Sequence, residues 1–268
     1  MDKRITEFFE NEKIEYFAAL DYKYLREINP DLRARNIAKA KSILIFLLPY
    51  YVGGSKNLSE YSAAKDYHLI IKELTRKLVS LLREIYPENN FVGFGDHSPI
   101  DERGAALMAG LGILGENGLL INEKYGTYVF LADIVSDLSA EELGAITPVS
   151  VLKCEGCGNC KKLCPTGILR GEGSDCLSAI TQRKGELTEE EIKLMRKCKT
   201  VWGCDICQSV CPHNRNAAVT PIEFFHEDRI ELLTTEILDN LSDEEFNKRA
   251  FAWRKRKTVE RNLKLLNY

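Results

Sequence analysis

No run of apolar residues in this chain is long enough to cross a membrane, the longest being residues 43–48, stopped by Pro49. An export signal is also missing, since Met1-Asp2-Lys3-Arg4 leads straight into a charged, amphipathic segment. There is no excess of positive charge: a net charge of −3 gives no global pull toward nucleic acid, so such a partner would have to meet a local basic patch. Low-complexity linkers are absent, and nothing repeats apart from two cysteine runs. Outside residues 154–211 there is not one cysteine. Nine cysteines gathered in one stretch, with no export signal, speak for metal-bound thiols in a reducing, cytoplasmic compartment and against a disulfide framework. With 268 residues, the chain can bury a sizeable core as one large domain or two.

The cysteine stretch is the most informative part of the sequence. It begins Cys154-Glu-Gly-Cys157-Gly-Asn-Cys160-Lys-Lys-Leu-Cys164-Pro165, the C-x2-C-x2-C-x3-C-P spacing of two-cluster ferredoxins. Three thiolates two residues apart can wrap three irons of one cubane, and the fourth, set off by three residues, reaches the other cluster. The second run, Cys204-Asp-Ile-Cys207-Gln-Ser-Val-Cys211-Pro212, has Val201 where a symmetric repeat would place its first cysteine. Two clusters need eight thiolates, so one ligand comes from outside the runs, and Cys176 and Cys198 are the candidates. A zinc ribbon on paired C-x2-C hooks is the rival reading, disfavoured by the triple hooks and the two Cys-Pro endings.

Around this stretch the pattern is mixed α and β. Residues 3–17 carry Ile5, Phe8, Phe9 and Ile14 at near-helical spacing, and residues 42–48 read as a fully buried strand. Residues 66–86 set Leu69, Ile70, Leu74, Leu78, Leu81 and Leu82 on one helical face. A short strand at 91–94 delivers Asp96, and residues 105–111 suggest a short helix broken by glycines. Segments 119–121 and 128–135 suggest two strands around a hairpin-type turn at Lys124-Tyr125-Gly126. Thr188 with Glu191, and Ser242 with Glu245, are capping-box signatures, the first predicting a helix over 189–198. In the tail, Phe246, Phe251 and Trp253 read as apolar anchors amid Lys248, Arg249, Arg254, Lys255, Arg256, Lys257, Arg261 and Lys264. The expected division is an α+β domain over 1–148, a ferredoxin-like double-cluster domain over 149–218, and a helical tail over 219–268 packing back on the core.

Three further constellations stand out. Asp96-His97-Ser98-Pro99-Ile100-Asp101-Glu102-Arg103 follows directly on a strand, where a positioned acid or base often sits; a solvated turn is the bland alternative. Gly110-Leu-Gly112-Ile-Leu-Gly115 matches the bare G-x-G-x-x-G pattern but follows a helix, so a dinucleotide site is rejected; its glycines still permit close approach of backbone to a flat cofactor. His68, alone at the start of a helix, reads as structural when taken by itself.

Read together, these segments resemble the epoxyqueuosine reductase family, related to the reductive dehalogenases. The resemblance rests on Leu48-Pro49-Tyr50-Tyr51, Asp66-Tyr67-His68, Asp96 through Arg103, Ala109 through Gly115 with Leu119-Leu-Ile-Asn122, and Gly126-Thr-Tyr-Val-Phe-Leu131. It continues through both cysteine runs, Trp202-Gly-Cys204-Asp-Ile-Cys207-Gln208 and Arg261-Asn262. It implies an α+β, nitroreductase-like cobalamin-binding domain with a ferredoxin-like module holding two 4Fe-4S clusters. The activity implied is reduction of the epoxide of epoxyqueuosine in tRNA to queuosine, with tRNA and an external electron donor such as a ferredoxin or flavodoxin as partners. By the family's pattern Cys154, Cys157, Cys160 and Cys211 hold one cluster, and Cys164, Cys176, Cys204 and Cys207 the other. Asp96 matches the family's proposed general acid, and His68, Arg103, Gly112, Gly115 and Asn117 stand at positions expected near the corrinoid.

Three departures are visible: no helical-repeat region after the Arg-Asn motif, a short N-terminal part, and Glu116 where a basic residue is expected. To donate a proton, Asp96 should sit in a pocket that raises its pKa, with Asp101 or Glu102 nearby and Arg103 turned away. The basic tail is expected to meet tRNA phosphates. Two other functions stay open, an iron–sulfur protein reducing a corrinoid or flavin partner, and a cobalamin-dependent reductase of a small molecule.

Overall fold

The computed structural model describes residues 1–268. In its first half the elements are α1 (Lys3–Asn11), β1 (Phe17–Asp21), α2 (Pro30–Asn36), β2 (Ser42–Pro49), α3 (Glu60–Ala63), α4 (Tyr67–Ile85) and β3 (Phe91–Phe94). Then come α5 (Glu102–Met108), β4 (Ile113–Leu114), β5 (Leu120–Ile121), β6 (Val129–Ser136) and α6 (Ala140–Leu143). The remainder is helical: α7 (Asn159–Leu163), α8 (Leu177–Gln182), α9 (Glu189–Cys198), α10 (Ile206–Ser209), α11 (Thr235–Asn240), α12 (Asp243–Asn247) and α13 (Arg256–Leu266). The chain forms two compact units, Met1–Pro49 with His68–Glu155, and Tyr50–Tyr67 with Gly156–Tyr268. The sequence suggests a boundary at 148/149; the units part at Glu155, and residues 50–67 group with the second. No helix is long and apolar enough to cross a membrane.

The first unit is built on an antiparallel sheet in the order β1-β2-β6-β3. All eight residues of β2 are buried, because it is hydrogen-bonded on both edges and covered on both faces. Ile43, Ile45 and Leu47 meet Ala105, Ala106 and Leu107 of α5 on one face. On the other, Phe46 approaches Phe9 of α1 at 5.3 Å, and Phe9 stacks on Phe17 at 4.1 Å. Each such fully buried side chain contributes about 1.5–3 kcal/mol. Helix α4 buries Ile70, Ile71, Leu74, Thr75, Leu78 and Leu82. Leu69, which the spacing set on that face, lies off it and is 44% exposed. The helix rides so close to β3 that a Cβ on Gly93 would stand 2.5 Å from Thr75 Cβ.

Two expectations need correction. Helix α5 starts at Glu102, three residues earlier than the glycine punctuation suggested, because Asp101 caps it by accepting from Gly104 N at 3.1 Å. The turn before Gly126 exists, with Gly126 N donating to Asn122 O at 2.9 Å, but it does not close a hairpin. Strand β6 has both edges taken by β2 and β3, so β5 folds back on β4 instead, pairing Ile113 with Ile121 and Leu114 with Leu120.

In the second unit Trp202, Phe246, Phe251, Val259 and Leu263 share one core. Asp205 is buried and fully used: it accepts from Ser59 Oγ at 2.5 Å, Glu60 N at 2.6 Å and Gln208 Nε2 at 2.8 Å. Asn57 exchanges two hydrogen bonds with Leu233, at 2.8 and 2.9 Å. These bonds are why residues 50–67 group here. Both capping boxes are formed, at Thr188 on α9 and Ser242 on α12. Phe246 and Phe251 are anchors as expected, whereas Trp253 is 55% exposed, with the Arg254 guanidinium stacked 3.8 Å from its ring.

Candidate active-site loop and cysteine module

Strand β3 ends at Phe94 and the chain turns at once, so that Asp96 has φ +61°. A non-glycine residue in this left-handed region is uncommon and is held there by its surroundings. The turn brings Asp96 Oδ2 within 3.5 Å of Nε2 of His68, at the start of α4, with the two side chains 51% and 53% exposed. A lone histidine in the sequence thus becomes the neighbour of the candidate acid, and attracts it when protonated. The five ionisable side chains of the loop part company. Asp101 caps α5, Arg103 Nη1 donates to Gly118 O, and His97 is exposed.

Glu102 turns inward, toward Asp133 on β6. Asp133 is fully buried on a strand where it is paired with Ile45 on one side and Phe94 on the other. Neither oxygen of Asp133, nor Oε1 of Glu102, has a conventional hydrogen-bond partner. Burial, then the charges of Asp133 and Asp96, push the Glu102 carboxyl well above its ordinary range. Burial likewise raises Asp133, against the opposing pull of the Ser98 hydroxyl and the Glu102 carboxyl. The enclosure expected at Asp96 is found one turn away, where Asp133 is fully buried and Glu102, half-buried, turns its Oε1 inward. The sequence pattern did not single out Asp133; its signal was a single acid inside an otherwise apolar strand.

Arg103, Gly112, Gly115 and Asn117 come together in the β4–β5 hairpin. Much of the glycine pattern is explained by the hairpin itself: a Cβ on Gly112 would lie 2.5 Å from Ile121 O, and one on Gly115 would lie 2.4 Å from Asn117 Oδ1. Asn117 Oδ1 accepts from Leu119 N at 3.2 Å, while its Nδ2 is buried without an acceptor.

All nine cysteines are free thiols. Cys204 and Cys207 are pushed up to about 12, by burial first and then by neighbouring cysteines, Cys176 and Cys198 beside Cys204, and Cys204, Cys176 and Cys160 beside Cys207. Thiols crowded this way repel one another as thiolates unless a cationic core holds them, which fits an iron–sulfur site. No three His, Cys, Asp or Glu side chains converge as the shell of one metal ion; a cubane spreads its thiolates over four irons. Burial alone would raise Cys164, but the backbone N–H groups of Leu169, Thr166 and Gly167 and the Thr166 hydroxyl outweigh it and hold this thiol below its ordinary value. Cys176 is the N-cap of α8, where a helix favours a thiolate, whereas Cys198 is the last residue of α9, where it does not.

The basic tail is less free than its sequence suggests. Arg256 donates to Leu238 O and to Leu241 O, Arg249 to Asp228 O, and Arg261 to Arg183 O and Gly185 O. Lys248 pairs with Glu244 at 2.6 Å. Lys255, Lys257 and Lys264 are exposed.

Residues 153–214 match the family described as "4Fe-4S double cluster binding domain". The epoxyqueuosine reductase of Lactococcus garvieae is 34% identical over 221 residues, covering 77% of this chain and 60% of that protein. The epoxyqueuosine reductase of Cyclobacterium marinum is 34% identical over 222 residues, covering 78% of this chain and 69% of that protein. Among solved structures, the epoxyqueuosine reductase of Streptococcus thermophilus superposes with a TM-score of 0.79 at 23% identity, over 98% of this chain and 80% of that one. An epoxyqueuosine reductase solved with an epoxyqueuosine-modified tRNA-Tyr stem loop gives a TM-score of 0.77 at 22% identity, again over 98% and 80%. The chain spans little more than half the length of the first of these relatives.

Proposed function

The chain belongs to the epoxyqueuosine reductase family, and from that premise we propose that it reduces the epoxide of epoxyqueuosine in tRNA to the alkene of queuosine. The observation that carries this reading is the pairing of Asp96 with His68 at 3.5 Å, on a turn that holds Asp96 at φ +61°. It puts a proton donor and a second polar group together, both accessible to a substrate.

Cys154, Cys157, Cys160 and Cys211 would hold one 4Fe-4S cluster, and Cys164, Cys176, Cys204 and Cys207 the other. The lowered thiol of Cys164 and the N-cap position of Cys176 support these two as thiolate ligands, while the division into two sets follows the family's pattern. The hairpin side chains fit a corrinoid. The orphaned Nδ2 donor of Asn117 suits an amide carbonyl of the kind that rims a corrin, with Gly115 and, through Gly118, Arg103 in the same hairpin; Gly112 and His68 would complete the corrinoid site. Cobalamin and the two clusters, when bound, supply the electrons for opening the C–O bond. The protein's own part is to orient the epoxide and to deliver a proton from Asp96 to the oxygen as the bond breaks. His68 orients the Asp96 carboxyl and, when protonated, stabilises its anion after the transfer.

The test is reduction of tRNA carrying epoxyqueuosine by the reconstituted protein with an external donor, read by mass analysis of the released nucleoside. Queuosine is the expected product. Bound corrinoid without that product would point to a small-molecule substrate, and failure to bind corrinoid to an electron-transfer protein.

A further inference from the structure

Converting an epoxide to an alkene takes two electrons and two protons and releases one water. The electrons come from an external iron–sulfur or flavin donor. Asp96 can hold only one of the protons, so the second comes from His68 at 3.5 Å, from a further acid nearby, or from solvent during turnover.

We propose that Glu102 and Asp133 form a buried proton store that refills Asp96 within a turnover. This rests on the reading of Asp96 as the general acid. The pair lies directly behind Asp96: the Asp96 backbone N–H faces the Glu102 carboxyl, and Glu102 faces Asp133. Asp133 is 0% exposed in a sheet whose surrounding positions are Ile45, Phe94, Ala18 and Leu131. Two ionised carboxylates cannot hydrogen-bond to each other there, and no basic side chain pairs with either. A shared proton makes the contact attractive. An apolar residue would fill Asp133's place at lower cost, so a buried acid without a counter-charge stands out as functional.

The protons balance over one turnover. Asp96 gives its proton to the oxygen as the C–O bond breaks. Glu102 then passes its proton to the Asp96 carboxylate, and Asp96 gives this second proton to the departing hydroxyl, which leaves as water. The pair, now one proton short, is reloaded between turnovers through Asp96, which is 51% exposed. The other groups facing the pair are the Ser98 hydroxyl, on the loop after β3, and Tyr22, after β1. The Tyr22 hydroxyl donates to Glu27 at 3.0 Å and Arg33 neutralises Glu27, so this side is already satisfied and adds no competing charge.

Both carboxyls are raised, so between the ordinary carboxylate range, about pH 4, and their raised values the folded protein binds more protons than the unfolded chain. The pair therefore costs stability increasingly as pH rises through that window. Asp133→Asn and Glu102→Gln remove that dependence, so their gain in melting temperature over the natural protein should be larger at pH 8 than at pH 5.

The experiment compares Asp133→Asn, Glu102→Gln and Asp96→Asn. At pH 7, without cofactors or substrate, the infrared spectrum of the natural protein should contain a neutral-carboxyl carbonyl band that is shifted in Asp133→Asn, which keeps Glu102, and weakened in Glu102→Gln. The difference spectrum is needed because burial also raises Asp205. With cofactors loaded, Glu102→Gln should turn over at least ~10-fold more slowly at pH 8 than at pH 6, because the second proton then comes from solvent, while the natural protein varies little. An identical carbonyl band in both variants, or a natural pH profile in Glu102→Gln, overturns the store and leaves the Asp96 reading standing. Natural turnover in Asp96→Asn overturns the parent reading, and the store with it.

Discussion

The acid role proposed for Asp96 requires its carboxyl to reach a substrate, and the residue sits in a backbone conformation, φ +61°, that few non-glycine residues adopt. Asp96→Asn keeps the shape and removes the proton. It should load iron and cobalamin normally and turn over at least ~100-fold more slowly, measured as product formed per cofactor-loaded protein. Equal turnover would remove the acid role, and loss of cobalamin would make the residue structural. The eighth thiolate is a second question of single residues. Cys176→Ala should lose about half of the iron of the reconstituted protein and Cys198→Ala none, since eight thiolates suffice for two cubanes. The reverse result would reassign the ligand. At this scale the sequence was legible where chemistry is written in spacing, as in the cysteine runs, whose residues match a double-cluster family. It was not legible for Asp133, because only pairing of Val129–Ser136 between β2 and β3 shows that this acid is wholly enclosed.

At the scale of elements, local signals served where a cap was recognised, and missed the start of α5, whose cap Asp101 is equally local. Thr188 with Glu191 marked the start of α9, and its capping box is formed. Signals failed where the partner is distant. The turn at Lys124-Tyr125-Gly126 reads as a hairpin, yet β5 and β6 join different sheets because β6 has no free edge. The close seat of α4 on β3 is equally non-local, and it makes a prediction. In Gly93→Ala the new methyl carbon would stand 2.5 Å from Thr75 Cβ, so helix or strand must shift, at about 1–3 kcal/mol. Urea unfolding measures this; an unchanged midpoint would mean that the contact relaxes freely. The same shift would disturb the turn carrying Asp96, so turnover should fall along with stability.

At the scale of the whole molecule, the chain spans 60% of the length of its Lactococcus relative, and the proposed contact with tRNA falls to its own basic tail. In sequence the tail's basic residues read as a patch for tRNA phosphates, but Arg249, Arg256 and Arg261 are engaged by carbonyls of other segments. Lys255, Lys257 and Lys264 remain for phosphates. Changing these three to Glu should weaken tRNA binding and flatten its salt dependence by roughly 0.7–0.9 in log–log slope for each phosphate no longer neutralised. Arg256→Glu should instead lower the melting temperature. If affinity and slope stay unchanged in the triple variant, the tail is not part of an RNA interface.

Asn262, on α13, donates from one side-chain nitrogen to Thr181 O at 2.7 Å and to Val201 O at 2.8 Å. Those carbonyls belong to the segment after Cys176 and the segment before Cys204. The clasp is therefore made by residues that leave the ribosome after every cysteine has already emerged. A nascent chain with all nine thiols in solution would still lack the frame that sets the second run in place. Order of synthesis thus puts the last tie between residues 181 and 201 some fifty residues behind Cys211.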